Sequence, residues 1–214
     1  MNVEDLLQDL VKRYPVLTGI RQPLFNAYEV IKKSYETGGK LLICGNGGSA
    51  ADADHIAGEL MKSFSIKRPV NPDIQGFLKD NYGKSGIRLS EKLEGALPAI
   101  SLSSHPALNT AFANDVDPDL IFAQQIMGYG NKGDSLLGIS TSGNSANVVF
   151  AMMAAKAKGL TVVGLVGRDG GEFVKHCDVL INVGGTKTPE IQELHLPVYH
   201  TLCGMLEVYF FGNH

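Results

Sequence analysis

The sequence predicts an α/β fold, a doubly wound domain built on a parallel sheet, and three observations carry that expectation. Five apolar, strand-length runs recur along the 214 residues, at 40–44, 98–102, 135–139, 160–166 and 178–183. Helix-like stretches at 49–64, 118–129, 145–158 and, briefly, 170–176 separate most of them. Strands alternating with helices imply parallel βαβ units, because a parallel return needs a crossover. The runs are also nearly continuous in apolar residues, as in a sheet covered on both faces.

Helices bracket this alternation. Residues 3–13 and 20–36 precede the first strand, and 189–211 closes the chain. Thr188 is the expected N-cap of the last helix, Pro189 suits its first position, and Glu190 favours its positive end. Pro197 removes one N–H inside that helix and is expected to kink it. Residues 65–97 fit the alternation poorly. They hold Pro69, Pro72, Gly76, Gly83 and Gly86 and a charged, helix-like stretch at 88–94, and are read as an insertion in a single domain spanning 1–214.

With 44% hydrophobic and 19% charged residues, the balance is that of a soluble globular protein with a full core. No apolar run approaches the ~20 residues that cross a bilayer. The N-terminus, Met-Asn-Val-Glu-Asp-Leu-Leu, is acidic and amphipathic, unlike a secretory signal. Cys44, Cys177 and Cys203 share no metal-type spacing and read as small core residues of a reducing, cytoplasmic protein. A net charge of -3 exerts no long-range pull on nucleic acid, and neither nucleic acid nor membrane is expected as a partner. The cluster Lys62, Lys67 and Arg68 reads as a solvated edge, or as a lure for an anionic substrate.

The most informative stretch is Ile-Ser-Thr-Ser-Gly-Asn-Ser-Ala-Asn-Val at 139–148. Ser140, Thr141, Ser142 and Ser145 crowd a turn between a strand and a helix start. Free backbone N–H groups and a helix dipole make such a turn an anion site, to which hydroxyls add donors. The loop holds no Gly-Lys-Ser/Thr pattern, so it is not a nucleotide P-loop. A cradle of this kind without a lysine suits a small phosphomonoester.

Gly45-Asn46-Gly47-Gly48-Ser49-Ala50, after the first strand, fits the dinucleotide fingerprint Gly-x-Gly-x-x-Ala. That fingerprint needs an acid about 20 residues on to hold a ribose. Around that distance the chain reads Ser-Phe-Ser-Ile-Lys-Arg-Pro, which argues against NAD. Both loops end strands at the carboxyl edge of the sheet and are expected to face one pocket. Ser49 either opens a capping box with Asp52 or turns its hydroxyl to the ligand.

His55 and Glu59 stand four apart and share a helix face; taken alone, such a pair is usually an exposed one. Gln192 and His200, eight apart on the last helix, are separated by about 80° around it, and His195 between them reads as a surface residue. A Glu and a His together can shuttle protons beside a bound sugar phosphate. His55, Glu59, Gln192 and His200 form an alternative or additional set around a divalent metal such as zinc, with an unusual glutamine ligand.

Taken in order, several motifs resemble the SIS (sugar isomerase) domain family and, within it, the phosphoheptose isomerases. They are Cys-Gly-Asn-Gly-Gly-Ser-Ala-Ala-Asp-Ala at 44–53 with His55 and Glu59, Asn-Thr-Ala-Phe-Ala-Asn-Asp at 109–115 and Gly-Ile-Ser-Thr-Ser-Gly-Asn-Ser at 138–145. Gly-Arg-Asp-Gly-Gly at 167–171 and Ile-Gln-Glu-Leu-His at 191–195, with His200, complete the set. The resemblance implies a flavodoxin-like sheet and a homotetramer with active sites at subunit interfaces. It implies a phosphate loop at Ser140, Thr141, Ser142 and Ser145, and sugar contacts from Asn46, Gly47, Ser49, Asp115 and Gln192. Glu59 and His200 match the acid–base pair, and His55, Glu59, Gln192 and His200 a zinc site of some members. The implied activity is an aldose–ketose isomerisation of sedoheptulose 7-phosphate through an enediol, in heptose synthesis for lipopolysaccharide. The departure is 65–97, where roughly 25 residues interrupt the shorter family pattern. Two rivals are an isomerase of another sugar phosphate and a non-catalytic phosphosugar-binding regulator, including a relative that binds the replication initiator.

Overall fold

A computed structural model describes residues 2–212. Helices α1 (Val3–Arg13) and α2 (Arg21–Glu36) lead into β1 (Leu41–Cys44) and α3 (Gly48–Met61). After α4 (Pro72–Lys92) come β2 (Ala99–Ser101), α5 (Pro106–Asp115) and α6 (Ile121–Tyr129). The alternation then runs β3 (Ser135–Ser140), α7 (Ala146–Ala157), β4 (Thr161–Val166), α8 (Phe173–His176), β5 (Val179–Asn182) and α9 (Thr188–Phe211).

The five strands pair in parallel in the order β2-β1-β3-β4-β5. That is the flavodoxin-like order, as expected. The chain leaves β1 for β2 on one side and later returns to β3 on the other. The ends of β1 and β3 therefore border the crevice where such sheets take ligands.

Alternation along each strand feeds two cores. Leu41, Ile43, Leu137, Ile139, Val163 and Leu165 face one cluster with residues of α1, α2, α3 and α9. Leu42, Cys44, Leu136, Val162 and Val166 face a second cluster built with α6, α7 and Phe173 of α8. Burial on both faces explains the unbroken apolar runs. Cys44 and Cys203 are buried, Cys177 is half-buried, and all three are free thiols. Among the described residues no helix is long and apolar enough to cross a membrane.

Some expectations need correction. Helix α4 begins at Pro72, well before the charged stretch at 88–94, and Asn71 caps it by accepting from the Asp73 N–H at 2.8 Å. Gly83, at φ +51, breaks it into two arms outside the strand–helix alternation. Helix α5 was not legible, because it buries no residue and so has no apolar stripe. Thr188 is the first helical residue and not the N-cap, which is Lys187; α9 runs through Pro197 as one helix.

Candidate active site

The Ser-rich turn after β3 is shaped by its own hydroxyls. Ser140 Oγ and Ser145 Oγ are 2.9 Å apart, and the Gly143 N–H donates to Ser140 Oγ at 3.1 Å. Gly143 takes φ +67, and a Cβ there would collide with the Gly170 carbonyl. The turn is thus folded tightly against the 170–171 turn. Ser145 precedes α7 without capping it through its side chain, so no side-chain oxygen blocks the start of α7 from an anion.

The turn after β1 lies alongside. Asn46 and Asn147 exchange amide hydrogen bonds of 2.8 and 3.0 Å, tying the two turns together. Gly47, at φ +56, precedes α3, whose start has no side-chain cap. The capping-box reading of Ser49 is therefore corrected. Ser49 instead lines a cavity of about 320 Å³ with Asn46, Gly47, Ser140, Thr141, Ser142, Ser145, Thr188 and Gln192.

Helix α3 runs from that cavity to a second cluster. His55 Nε2 is 3.2 Å from Glu59 Oε1, and His55 Nδ1 is 3.0 Å from the Tyr199 hydroxyl, which donates to Asp52 Oδ1 at 3.2 Å. Burial raises the Asp52 pKa against the pull of that hydrogen bond, and burial also raises the Tyr199 pKa. His200 packs edge-on against both His55 and Tyr199, with ring centroids 5.0 Å away in each case. Its Nε2 is buried without a hydrogen-bond partner, and burial, then His55, lowers its pKa. Lys62 Nζ sits 3.2 Å from Glu59 Oε2.

The fold therefore brings together every expected residue of the phosphate turn, with Asn46, Gly47, Ser49 and Gln192, and separately His55, Glu59 and His200. It does not bring Asp115 to the cavity; that residue ends α5, exposed, beside the Asn114 amide. His195 is not a surface residue. It is fully buried, and burial pushes its pKa down to about 4. Arg68 is no solvated edge either, since its side chain is 0% exposed and pairs with Glu207 at 2.8 Å.

A model of the SIS domain matches residues 14–96 and 91–167. The phosphoheptose isomerase of Nitratidesulfovibrio vulgaris Hildenborough is 43% identical over 176 residues, 82% of this chain and 72% of that protein. The chain belongs to the phosphoheptose isomerase family. The Clostridium acetobutylicum phosphoheptose isomerase is 38% identical over 86% of this chain and 81% of its own length. Among solved structures, the phosphoheptose isomerase of Neisseria gonorrhoeae superimposes with a TM-score of 0.71 at 33% identity, covering 96% of this chain and 92% of that one. That of Francisella tularensis gives 0.75 at 27% identity, with 95% of each chain covered.

The zinc set implied by resemblance to this family is not met by its donors as the fold places them. Both ring nitrogens of His55 are engaged, by Tyr199 and Glu59, and Gln192 lies against Gly48 in the phosphate-side cavity. Among the described residues no three of His, Cys, Asp and Glu are grouped to hold a metal. As arranged here, the four residues do not fit a metal site.

Tyr199 and Glu207 escaped the sequence reading, and Asp52 and Arg68 were read in other roles. Asp52 precedes His55 by three residues and Glu59 by seven, so a helical-face count places all three together. Tyr199 adjoins His200 in sequence and gave no separate signal. Glu207 is a lone acid in the apolar run 202–211, a pattern that calls for a buried partner, and Arg68 is that partner.

Proposed function

We propose that this protein isomerises sedoheptulose 7-phosphate to the corresponding aldose phosphate through an enediol. One observation carries the reading. Helix α3 begins in the Ser/Thr-lined anion cavity and carries, on later turns, the His55–Glu59 pair that packs against His200. Ser49 and His55 are six residues apart, about 9 Å along the axis, and side chains on a helix lean back toward its N-terminus. A sugar phosphate anchored at one end is thereby presented to the acid–base groups at the other.

In this reading Ser140, Thr141, Ser142 and Ser145 bind the phosphate, and that remote anchoring is spent on orienting C1 and C2. Asn46, Gly47, Ser49 and Gln192 line the same cavity and are assigned to the sugar, and Asp115 is assigned to it on the strength of the family motif alone. Glu59 takes the proton from C1 of the ketose, giving the enediol, and returns it to C2. His200, neutral at the start, accepts the O1 proton and delivers it to O2, so the net reaction neither gains nor loses an atom.

The family resemblance also points to a homotetramer, and the three free cysteines suit a reducing, cytoplasmic location. A cavity of about 950 Å³ between α1, residues 64–66 and α9 opens beside His200, where a neighbouring subunit would meet the site. Sedimentation equilibrium tests the assembly. The function is tested by turnover of sedoheptulose 7-phosphate, with Glu59→Gln as control. The variant is expected to bind the ligand and lose about 100-fold or more in kcat, the typical contribution of a general base. A Glu59→Gln enzyme of wild-type rate overturns the assignment. Phosphosugar binding without turnover on a panel of sugar phosphates moves the protein to a regulatory role.

A further inference from the structure

Outside the two clusters, a buried ion pair joins the helices that carry them. Arg68 and Glu207 are 0% and 1% exposed at their side chains. Arg68 Nε donates to Glu207 Oε1 at 2.8 Å, Nη1 to the Leu60 carbonyl at 2.7 Å and Nη2 to the Glu59 carbonyl at 3.1 Å. The guanidinium thus closes the C-terminal turn of α3, where carbonyls lack helical partners and a cation is favoured. One of those carbonyls belongs to Glu59 itself.

The other end of the pair is equally fixed. Glu207 accepts from the Phe64, Ser65 and Ile66 N–H groups at 2.7, 2.7 and 3.1 Å. It lies seven residues beyond His200 on α9, two turns along the same face. Phe64, in the segment it gathers, packs on the His200 ring with centroids 5.4 Å apart. Stability alone is a weak reason for such an arrangement, because buried ion pairs often exchange for apolar residues without loss. Its planar fork fixes geometry in a way that a single amine cannot.

We propose that Arg68 and Glu207 are positioning residues, a clamp that sets Glu59 on α3 relative to His200 on α9 for the proton transfers. The proposal rests on the isomerase reading of those two residues. An error of 1 Å in such a constellation costs on the order of 100-fold in rate.

The test is the kinetics of Arg68→Lys beside Ile126→Val, a core variant in the cluster on the opposite face of the sheet, compared at equal distance below their melting temperatures. Arg68→Lys is expected to lower kcat by about tenfold to 100-fold, with KM and the Kd for inorganic phosphate unchanged, while Ile126→Val keeps the wild-type kcat. A folded Arg68→Lys enzyme with wild-type kcat, or one whose loss appears in KM, overturns the clamp. If Arg68→Lys does not fold, Glu207→Gln, which keeps shape and an acceptor oxygen, is read in the same way. Failure of both to fold assigns the pair to the fold alone and likewise overturns it. If the wild type turns over no sugar phosphate, the isomerase reading falls by itself, and the clamp is judged from the NOE between the His55 and His200 rings. Weakening of that NOE in Arg68→Lys supports the clamp, and an unchanged NOE overturns it.

Discussion

The His200 ring meets the His55 ring at 85°, with centroids 5.0 Å apart. Burial holds the His200 pKa below the ordinary 6.5, and the neighbouring His55 ring adds to the effect, since two imidazoles so placed resist being charged together. Neutral His200 therefore prevails at neutrality, the form that the proposed mechanism needs to accept the O1 proton. Below its lowered pKa the cation cannot do so, and kcat/KM should fall about tenfold per pH unit on that limb. A pH–rate profile checks this. An acid break above 6.5 would assign the limb to another group.

Tyr199 bridges the same cluster, 3.0 Å from His55 Nδ1 and 3.2 Å from Asp52 Oδ1. Tyr199→Phe removes the hydroxyl and keeps the ring packing. It leaves a half-buried carboxylate unpaired and frees the His55 ring to turn. We expect kcat to fall about tenfold with phosphate affinity unchanged, and stability to drop by about 1 kcal/mol. Full activity in Tyr199→Phe would mean that His55 needs no fixed tautomer.

Gly143 and Gly128 make a matched pair of glycines with opposite expectations. At Gly143 a side chain meets both φ +67 and the Gly170 carbonyl, so Gly143→Ala should cost about 1–3 kcal/mol and weaken inorganic phosphate binding about tenfold or more. At Gly128, on helix α6, nothing lies within 4 Å of an added Cβ. There Gly128→Ala should stabilise by about 0.5–1 kcal/mol. Calorimetric melting of the two variants and phosphate titration of Gly143→Ala decide the matter. Unchanged phosphate affinity in a folded Gly143→Ala protein would remove the turn from the anion site.

The sheet was legible because each strand is buried on both faces and punctuated by turns, which leaves a pattern in local sequence. The Ser-rich turn was legible for a similar reason, since its four hydroxyls fall within residues 140–145 and make their contacts within a few residues. What escaped depends on distance along the chain. Arg68 and Glu207 are 139 residues apart, and only the folded packing of α3 against α9 reveals that they touch. His195 escaped because a histidine in an apolar helix looks alike whether it faces solvent or the sheet. Helix α5 left no trace because it has no buried face.

His195 supplies a prediction about stability. The ring is fully buried on α9, and burial lowers its pKa from 6.5 to about 4, opposed by the Val166 backbone. Between these values the unfolded chain binds a proton that the folded protein refuses. Stability from this group is therefore complete above pH 6.5 and is lost as pH falls toward about 4. The slope from one such group is about 1.4 kcal/mol per pH unit within the window, and His200, also lowered, adds in the same direction. Urea midpoints measured from pH 7 down to pH 4 should record that loss. His195→Leu removes the proton-linked part and keeps an apolar side chain of similar size, so its stability should depend on pH less steeply over the same range. Parallel slopes for the two proteins would show that His195 takes up its proton without unfolding, through an opening of α9 that the native packing tolerates.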